Sequence, residues 1–285
     1  MSYLNRKIAT PSFDLTGKTA IITGGTQGIG FGIACALAAY GCNVVITART
    51  AQKVIDAESD LNENYCRGGR ALGIPADSSR QEDIERVIAS CVREFGKLDI
   101  LINNAGISGP TAAIVEEREG RREYAPEDME KVLSVNLVGT YRFCQAAARQ
   151  MIRQNRVGTG NGGKIIITSS VGAFLGARGV AGYQASKAGC ISLAKTIANS
   201  FGKENITCNC ICPGYVVTPL NEEFFLDENG AHTRYYEKSA TGTALGRLGE
   251  IEEIAGPVLA MCSDAFGYMT GSYILIDGGQ TIPAE

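Results

Sequence analysis

Histidine is all but missing from this chain: among 285 residues His232 is the only one, and it sits in a polar segment. A loop residue is expected there rather than a metal ligand. Excess charge of one sign is missing too, with 27 Lys and Arg against 30 Asp and Glu and a formal net charge of −3. With no basic face evident, nucleic acid is excluded as a partner. No apolar run reaches the ~18 residues of a membrane span, and the first residues lack the charged-then-apolar pattern of a signal peptide. These absences lead us to expect a soluble, cytoplasmic protein with no membrane partner.

Cysteine, in contrast, occurs ten times. Cys208, Cys210 and Cys212 alternate along Ile206 to Cys212, a strand pattern that sends all three to one face. Thiolates crowded on one strand face are poorly disposed around a tetrahedral metal, and no histidine lies near. Core packing is therefore expected, with no metal, because a buried cysteine behaves as a small hydrophobe. Reduced thiols also suit a reducing compartment.

The length fits one large α/β domain. Strands are expected near 19–23, 43–47, 70–75, 98–103, 164–169, 206–212 and 273–277. Helices are expected near 29–40, 51–66, 79–95, 127–153, 183–201 and 250–263. Most of the strand segments are continuous apolar runs, as when both faces of a sheet are covered. Strand–helix alternation with right-handed crossovers predicts a single-domain, Rossmann-like, doubly wound parallel sheet of about seven strands with helices on both faces. Neither an internal repeat nor a domain boundary is visible.

Two motifs carry chemistry. Thr23-Gly24-Gly25-Thr26-Gln27-Gly28-Ile29-Gly30 follows the β-branched run Thr19-Ala20-Ile21-Ile22 and opens a helix-like stretch. A strand, a glycine turn and a helix N-terminus together make an anion site, where bare N–H groups meet the positive end of the helix dipole. Gly24, Gly28 and Gly30 give G-x-x-x-G-x-G spacing, and missing Cβ atoms let backbone approach a pyrophosphate closely. The second motif is Tyr183-Gln184-Ala185-Ser186-Lys187, with Ser170 thirteen residues upstream. A tyrosine and a lysine four apart share one helix face. A phenol so placed can shuttle a proton if a cation lowers its pKa from ~10 towards neutrality. Either motif alone is weak; together they make a structural accident improbable.

At these residues the chain resembles the short-chain dehydrogenases/reductases, over roughly residues 13–282. Asn103-Asn104-Ala105-Gly106 is similar to the family's turn after the fourth strand, and Asn136 to its helical asparagine. Pro213-Gly214-Tyr215-Val216-Val217-Thr218 and Tyr273-Ile274-Leu275-Ile276-Asp277-Gly278-Gly279 are similar to the nicotinamide segment and the closing strand. The resemblance implies a secondary alcohol–ketone oxidoreductase (class EC 1.1.1.-) with Tyr183 as general acid/base. Lys187 would tune that tyrosine and hold the nicotinamide ribose. Ser170 would stabilise charge on the substrate oxygen, and Asn136 would hold a relay water. Ser169 competes with Ser170, but the thirteen-residue spacing favours the latter.

Cofactor contacts implied by the resemblance are Gly24, Thr26, Gln27, Gly28, Ile29 and Gly30 in the glycine turn, and Arg49 after the second strand. Asp77 and Ser78, then Asn104, Ala105 and Gly106, continue the set. Tyr183 and Lys187, then Pro213, Gly214, Val216 and Thr218, close it. An acidic residue ending the second strand would favour a ribose 2′-hydroxyl. Here that place holds Ala48, followed by Arg49, whose guanidinium suits a 2′-phosphate, with Thr47 or Thr50 as hydroxyl donors. NADP(H) is expected, with NAD(H) the alternative.

Residues 1–12 are expected to be an N-terminal arm before a catalytic domain of 13–285, with a substrate lid at about 219–242. Phe224, Phe225, Tyr235 and Tyr236 either line an apolar slot or form the core of two short lid helices. Ile107 to Pro126 is a long connection whose charged run Glu116–Glu123 is expected to be solvated; the alternative makes residues 107–126 a substrate-pocket wall. The small-molecule substrate is left open among sugar acids or polyols, ketoacyl compounds and hydroxysteroids. The competing reading is a cofactor-binding regulatory or scaffold protein without turnover. Val138, Phe143, Ala146 and Ala147 put apolar or small side chains on several faces of the 127–153 helix, which calls for a partner. The resemblance implies two-fold interfaces at helices 127–153 and 183–201 and at the closing strand near Tyr273, so a homotetramer is expected, with a dimer as the fallback.

Overall fold

Continuous β-branched stretches become strands buried on both faces, and this sets the architecture. The structure, a computed structural model, describes residues 10–114, 123–160 and 162–282. Seven strands run β1 Thr19–Thr23, β2 Asn43–Ala48, β3 Ala71–Pro75, β4 Ile100–Asn103, β5 Gly163–Thr168, β6 Ile206–Pro213 and β7 Tyr273–Ile276. All neighbours pair in parallel, in the order β3-β2-β1-β4-β5-β6-β7. The order reverses between β1 and β4, the switch point where a doubly wound sheet opens a crevice at its carboxyl ends.

The crossover helices are α1 Gly28–Ala39, α2 Ala51–Asp60, α3 Gln81–Phe95, α4 Pro126–Leu133, α5 Thr140–Arg156, α6 Ala181–Phe201 and α9 Ile251–Cys262. Between β6 and α9 lie two short helices, α7 Glu222–Phe225 and α8 Arg234–Thr241. Local chemistry marks their ends. Pro126 occupies the first turn of α4, and α3 stops at Gly96, which has φ 79°. A reciprocal capping box of Glu250 and Glu253 opens α9.

One apolar core fills each side of the sheet. The first gathers Ile21, Val45, Leu101 and Ile165 against α3, α5 and α6. The second packs Ile22, Ile46, Ile102 and Ile166 against α1 and α9. Cys208, Cys210 and Cys212 are fully buried in the first, on one face of β6 as expected. Phe143 and Ala147 belong to that core as well, so they are not available to a partner. Val138 and Tyr141 are the exposed apolar residues of that region.

Residues 1–9 of the expected arm and most of the Glu116–Glu123 charge run lie outside the described residues. The described flanks of the 107–126 connection fold back on the start of α6: the Ala112 N–H donates to the Gly179 carbonyl, and the Tyr124 N–H to that of Ala113.

Candidate active site

The ends of six strands converge on one cleft of about 370 Å³. The β1–α1 turn holds Gly24 at φ 64° and Gly28 at φ 55°, a left-handed conformation that only glycine adopts without strain. A Cβ on Gly24 would stand 3.0 Å from the Ala105 Cα, and one on Gly28 3.2 Å from the Thr218 Cβ. The turn is thus clasped between the loops that follow β4 and β6. The Thr23 hydroxyl ties the first of these down, accepting from the Asn104 and Ala105 N–H groups at 3.0 Å each. Asn104 Nδ2 donates to the Thr23 and Gly24 carbonyls. Thr23 belongs to the glycine motif, but no local pattern signals this bridge to a residue 81 positions away.

Gly24, Thr26, Gln27, Gly28 and Ile29 all line the cleft. Gly30 does not. It lies beneath the turn, where a Cβ would meet the Gly24 carbonyl oxygen and Asn104 Nδ2. Its missing side chain serves helix–strand packing instead of ligand approach. Arg49, Asp77, Ser78, Asn104, Ala105, Gly106, Pro213, Gly214, Val216 and Thr218 reach the cleft wall.

Beyond Ala48, Lys53 joins Arg49 on the wall, and its Nζ donates to Gln27 Oε1 at 2.9 Å. Lys53 was not anticipated; its place in the first turn of α2, four residues after Arg49, is the signal that could have found it. Neither cation makes an ion pair among the described residues. Burial pushes the Asp77 carboxyl up, but hydrogen bonds from the Ser79 hydroxyl and N–H, with the Arg49 charge, outweigh it and hold the pKa below the usual value.

At the other end, Tyr183 and Lys187 stand one turn apart on α6. Lys187 is 5% exposed, and its Nζ donates to the Thr168 carbonyl at 2.7 Å, 5.5 Å from the Tyr183 ring centre. Ser170 caps a short 3-10 turn by accepting from the Gly172 N–H at 3.0 Å, which leaves its hydroxyl proton free for another acceptor. A Cβ on Gly172 would lie 3.4 Å from Ser170 Oγ and 3.5 Å from Tyr183 Cε1, so the two flank this glycine. Ser169 differs: its hydroxyl donates to the Lys187 carbonyl at 2.7 Å.

Asn136 lies in a π-helical turn, Ser134–Gly139, between α4 and α5, and is 1% exposed. Its Oδ1 accepts from the Ile107 N–H and its Nδ2 donates to the Ile107 carbonyl and Ser186 Oγ. Its own carbonyl accepts from the Thr140 hydroxyl and the Cys190 thiol. The asparagine therefore braces the loop after Gly106 and does not line the cleft.

Whether the cleft suits a dinucleotide can be judged from its polar atoms. Thr47 Oγ1 and Thr168 Oγ1, near opposite ends of the wall, are both buried with no hydrogen-bond partner among the described residues. Buried hydroxyls without partners are uncommon, and a long polar ligand would supply them. Cations at one end, a glycine turn at a helix N-terminus in the middle, and a Ser–Tyr–Lys set at the other fit adenosine, pyrophosphate and nicotinamide in that order.

Comparison with known proteins bears on the family and the fold. A family model described as enoyl-(acyl carrier protein) reductase matches residues 24–281. The chain is 36% identical over 269 residues to the L-rhamnose 1-dehydrogenase (NAD(P)(+)) of Sphingomonas sp. (strain SKA58), covering 94% of this chain and 98% of that protein. It is 32% identical to the 2-dehydro-3-deoxy-D-gluconate 5-dehydrogenase of Escherichia coli (strain K12), with 94% and 97% covered. A crystal structure of a short-chain type dehydrogenase/reductase from Mycobacterium marinum superposes with a TM-score of 0.84 at 33% identity, covering 95% of this chain and 98% of that one.

Proposed function

The chain belongs to the short-chain dehydrogenase/reductase family, and from that premise we propose that it interconverts a secondary alcohol and a ketone on a sugar or sugar acid, with NADP(H). The observation that carries this reading is the convergence of Ser170, Tyr183 and Lys187 at one end of a cleft whose middle is the glycine turn. The sugar-type substrate is supported by relatives that are named as rhamnose and deoxygluconate dehydrogenases. NADP(H) is supported by Ala48 at the carboxylate position and by Arg49 and Lys53 beside it, since guanidinium and ammonium favour a 2′-phosphate over a hydroxyl.

The nicotinamide supplies or accepts the hydride when bound. Tyr183 gives its phenolic proton to the substrate oxygen during reduction and takes it back during oxidation. Ser170, with its hydroxyl proton free, donates to the same oxygen and stabilises charge there. Lys187 places a positive charge behind the tyrosine, held by Thr168, and binds ribose hydroxyls. Asn136 is a positioning residue: through Ile107 and Ser186 it fixes the loop after Gly106 against α6.

A cytoplasmic homotetramer remains our reading of location and assembly. Exposed Val138 and Tyr141, and exposed Tyr273 and Leu275 on edge strand β7, mark two separate apolar surfaces that support it. The segment 219–242 is read as the lid.

Tyr183→Phe is the decisive test. Cofactor affinity should persist while turnover falls by about 10²–10⁴-fold, the range for loss of a general acid/base. Near-normal turnover in that variant removes Tyr183 from the chemistry. A wild-type protein that binds NADPH yet reduces no ketone in a broad panel is instead the regulatory or scaffold protein.

A further inference from the structure

Beside the cleft the lid and the C-terminal loop bring together a phenol pair and an amide whose hydrogen-bonding capacity the chain does not use. Tyr215 directly follows Gly214, a lining residue, and its phenol oxygen lies 3.2 Å from that of Tyr235 on α8. Two hydroxyls paired in this way share one hydrogen bond, so one O–H remains to donate elsewhere. Gln280, on the C-terminal loop, lies close to Gly214. Its Oε1 is shielded from solvent and has no hydrogen-bond partner among the described residues. That oxygen stands 3.0 Å from where a Cβ on Gly214 would be.

The aromatic frame around this group is tight. Tyr215, Phe225 and Tyr235 meet ring to ring at centroid separations of 5.3 to 6.2 Å, and Phe225 is 1% exposed. Helix α8 is pinned by Thr233, whose hydroxyl accepts from the Tyr236 N–H and donates to the Phe224 carbonyl. The expectation that these aromatics either line a slot or pack a lid thus resolves residue by residue: Phe225 packs, and Tyr235 presents its hydroxyl. Burial, then the Tyr235 neighbour, raise the Tyr215 pKa well above that of an ordinary phenol, and the nearby Tyr183 adds to the rise. Tyr215 therefore stays protonated and able to donate.

A spare donor beside an unpartnered acceptor matches a group that both donates and accepts, and on the sugar-type substrate read above that group is a hydroxyl. We propose that Tyr215, Tyr235 and Gln280 bind a non-reacting hydroxyl of the substrate and so make the enzyme selective for polyhydroxylated compounds. This rests on the dehydrogenase reading above. A site built to hydrogen-bond a hydroxyl discriminates strongly against analogues that lack it, because its own polar groups are left unpaired.

The test is steady-state kinetics with NADP⁺ on a panel of aldoses, aldonates and polyols, L-rhamnose and D-gluconate among them, against cyclohexanol. Wild type should favour at least one polyhydroxylated compound over cyclohexanol in kcat/KM. Tyr235→Phe and Gln280→Leu should each shrink that ratio tenfold or more, chiefly through KM for the polyhydroxylated compound. An unchanged ratio in both variants, or a wild type with no preference for hydroxylated compounds, overturns the proposal and leaves the dehydrogenase reading standing. Failure of wild type to bind NADP⁺ by calorimetry, with no turnover across the panel, overturns both.

Discussion

Arg49→Ala and Lys53→Ala remove, one at a time, the two cations that flank the cleft beyond Ala48. Each should weaken NADPH by about 1.5–3 kcal/mol, the worth of one charge-assisted contact, and leave NADH affinity unchanged. Nucleotide fluorescence titrations measure both, and an unaltered NADPH-to-NADH ratio removes that cation from the phosphate site. The two residues differ in how readable they were. Arg49 follows a strand end, so its place comes from counting along one apolar run. Lys53 required knowing that α2 returns over the glycine turn and sets its ammonium on Gln27, 26 positions earlier. Tyr183, Lys187 and Ser170 were legible because four residues is one helical turn and Ser170 sits just past a strand. Asn136 was legible as a residue but not as a brace, since its partner Ile107 is 29 positions away.

The π-helical turn between α4 and α5 sets a close approach. A Cβ on Gly139 would stand 2.6 Å from the Ser78 carbonyl oxygen, a backbone atom with little freedom to move. Gly139→Ala should therefore destabilise the fold by about 1–3 kcal/mol, as overpacking does, and disturb the Asp77–Ser78 loop at the cleft. Gly256→Ala in α9 is the control: nothing lies within 4 Å of its Cβ position, and helix propensity should make it neutral or mildly stabilising. Urea denaturation distinguishes the two. At the start of α9, the Arg247 guanidinium donates to both Glu253 carboxylate oxygens, and with the Glu250 N–H it holds that carboxyl at a pKa of about 2. A depressed carboxylate pKa gives stability that is present above the unfolded value, near 4.5, and is lost as pH falls towards 2. The unfolding free energy of wild type should thus drop more than that of Glu253→Gln over that interval. Parallel pH profiles would mean that the exposed pair contributes nothing.

At the scale of the molecule, eight of the ten cysteines are buried and two, Cys35 and Cys66, are partly exposed. Burial pushes Cys91, Cys144 and Cys262 up to about 12, and Cys35 to the same value, so thiolate is scarce at neutral pH. A chromogenic disulfide reagent should titrate at most two thiols in the native protein, Cys66 first, and ten after denaturation; rapid reaction of more than two would contradict the buried assignment. Light scattering should find a tetramer, and a fully active monomer at micromolar concentration would end that reading. What the chain dictates locally, its sequence by itself determined: seven strands, the crossover helices, the glycine turn and the Tyr–Lys spacing all follow from continuous apolar runs, from the 3.6-residue helical period and from glycine's freedom at positive φ. Tertiary structure alone decided the rest. It put Gly30 under the turn, turned Asn136 inward, drew Phe143 and Ala147 into the core, set Lys53 on Gln27, and brought Gln280 to Gly214. These are contacts between positions far apart in the chain, fixed by strand register and by how closely helices settle on the sheet, and no local pattern encodes those distances.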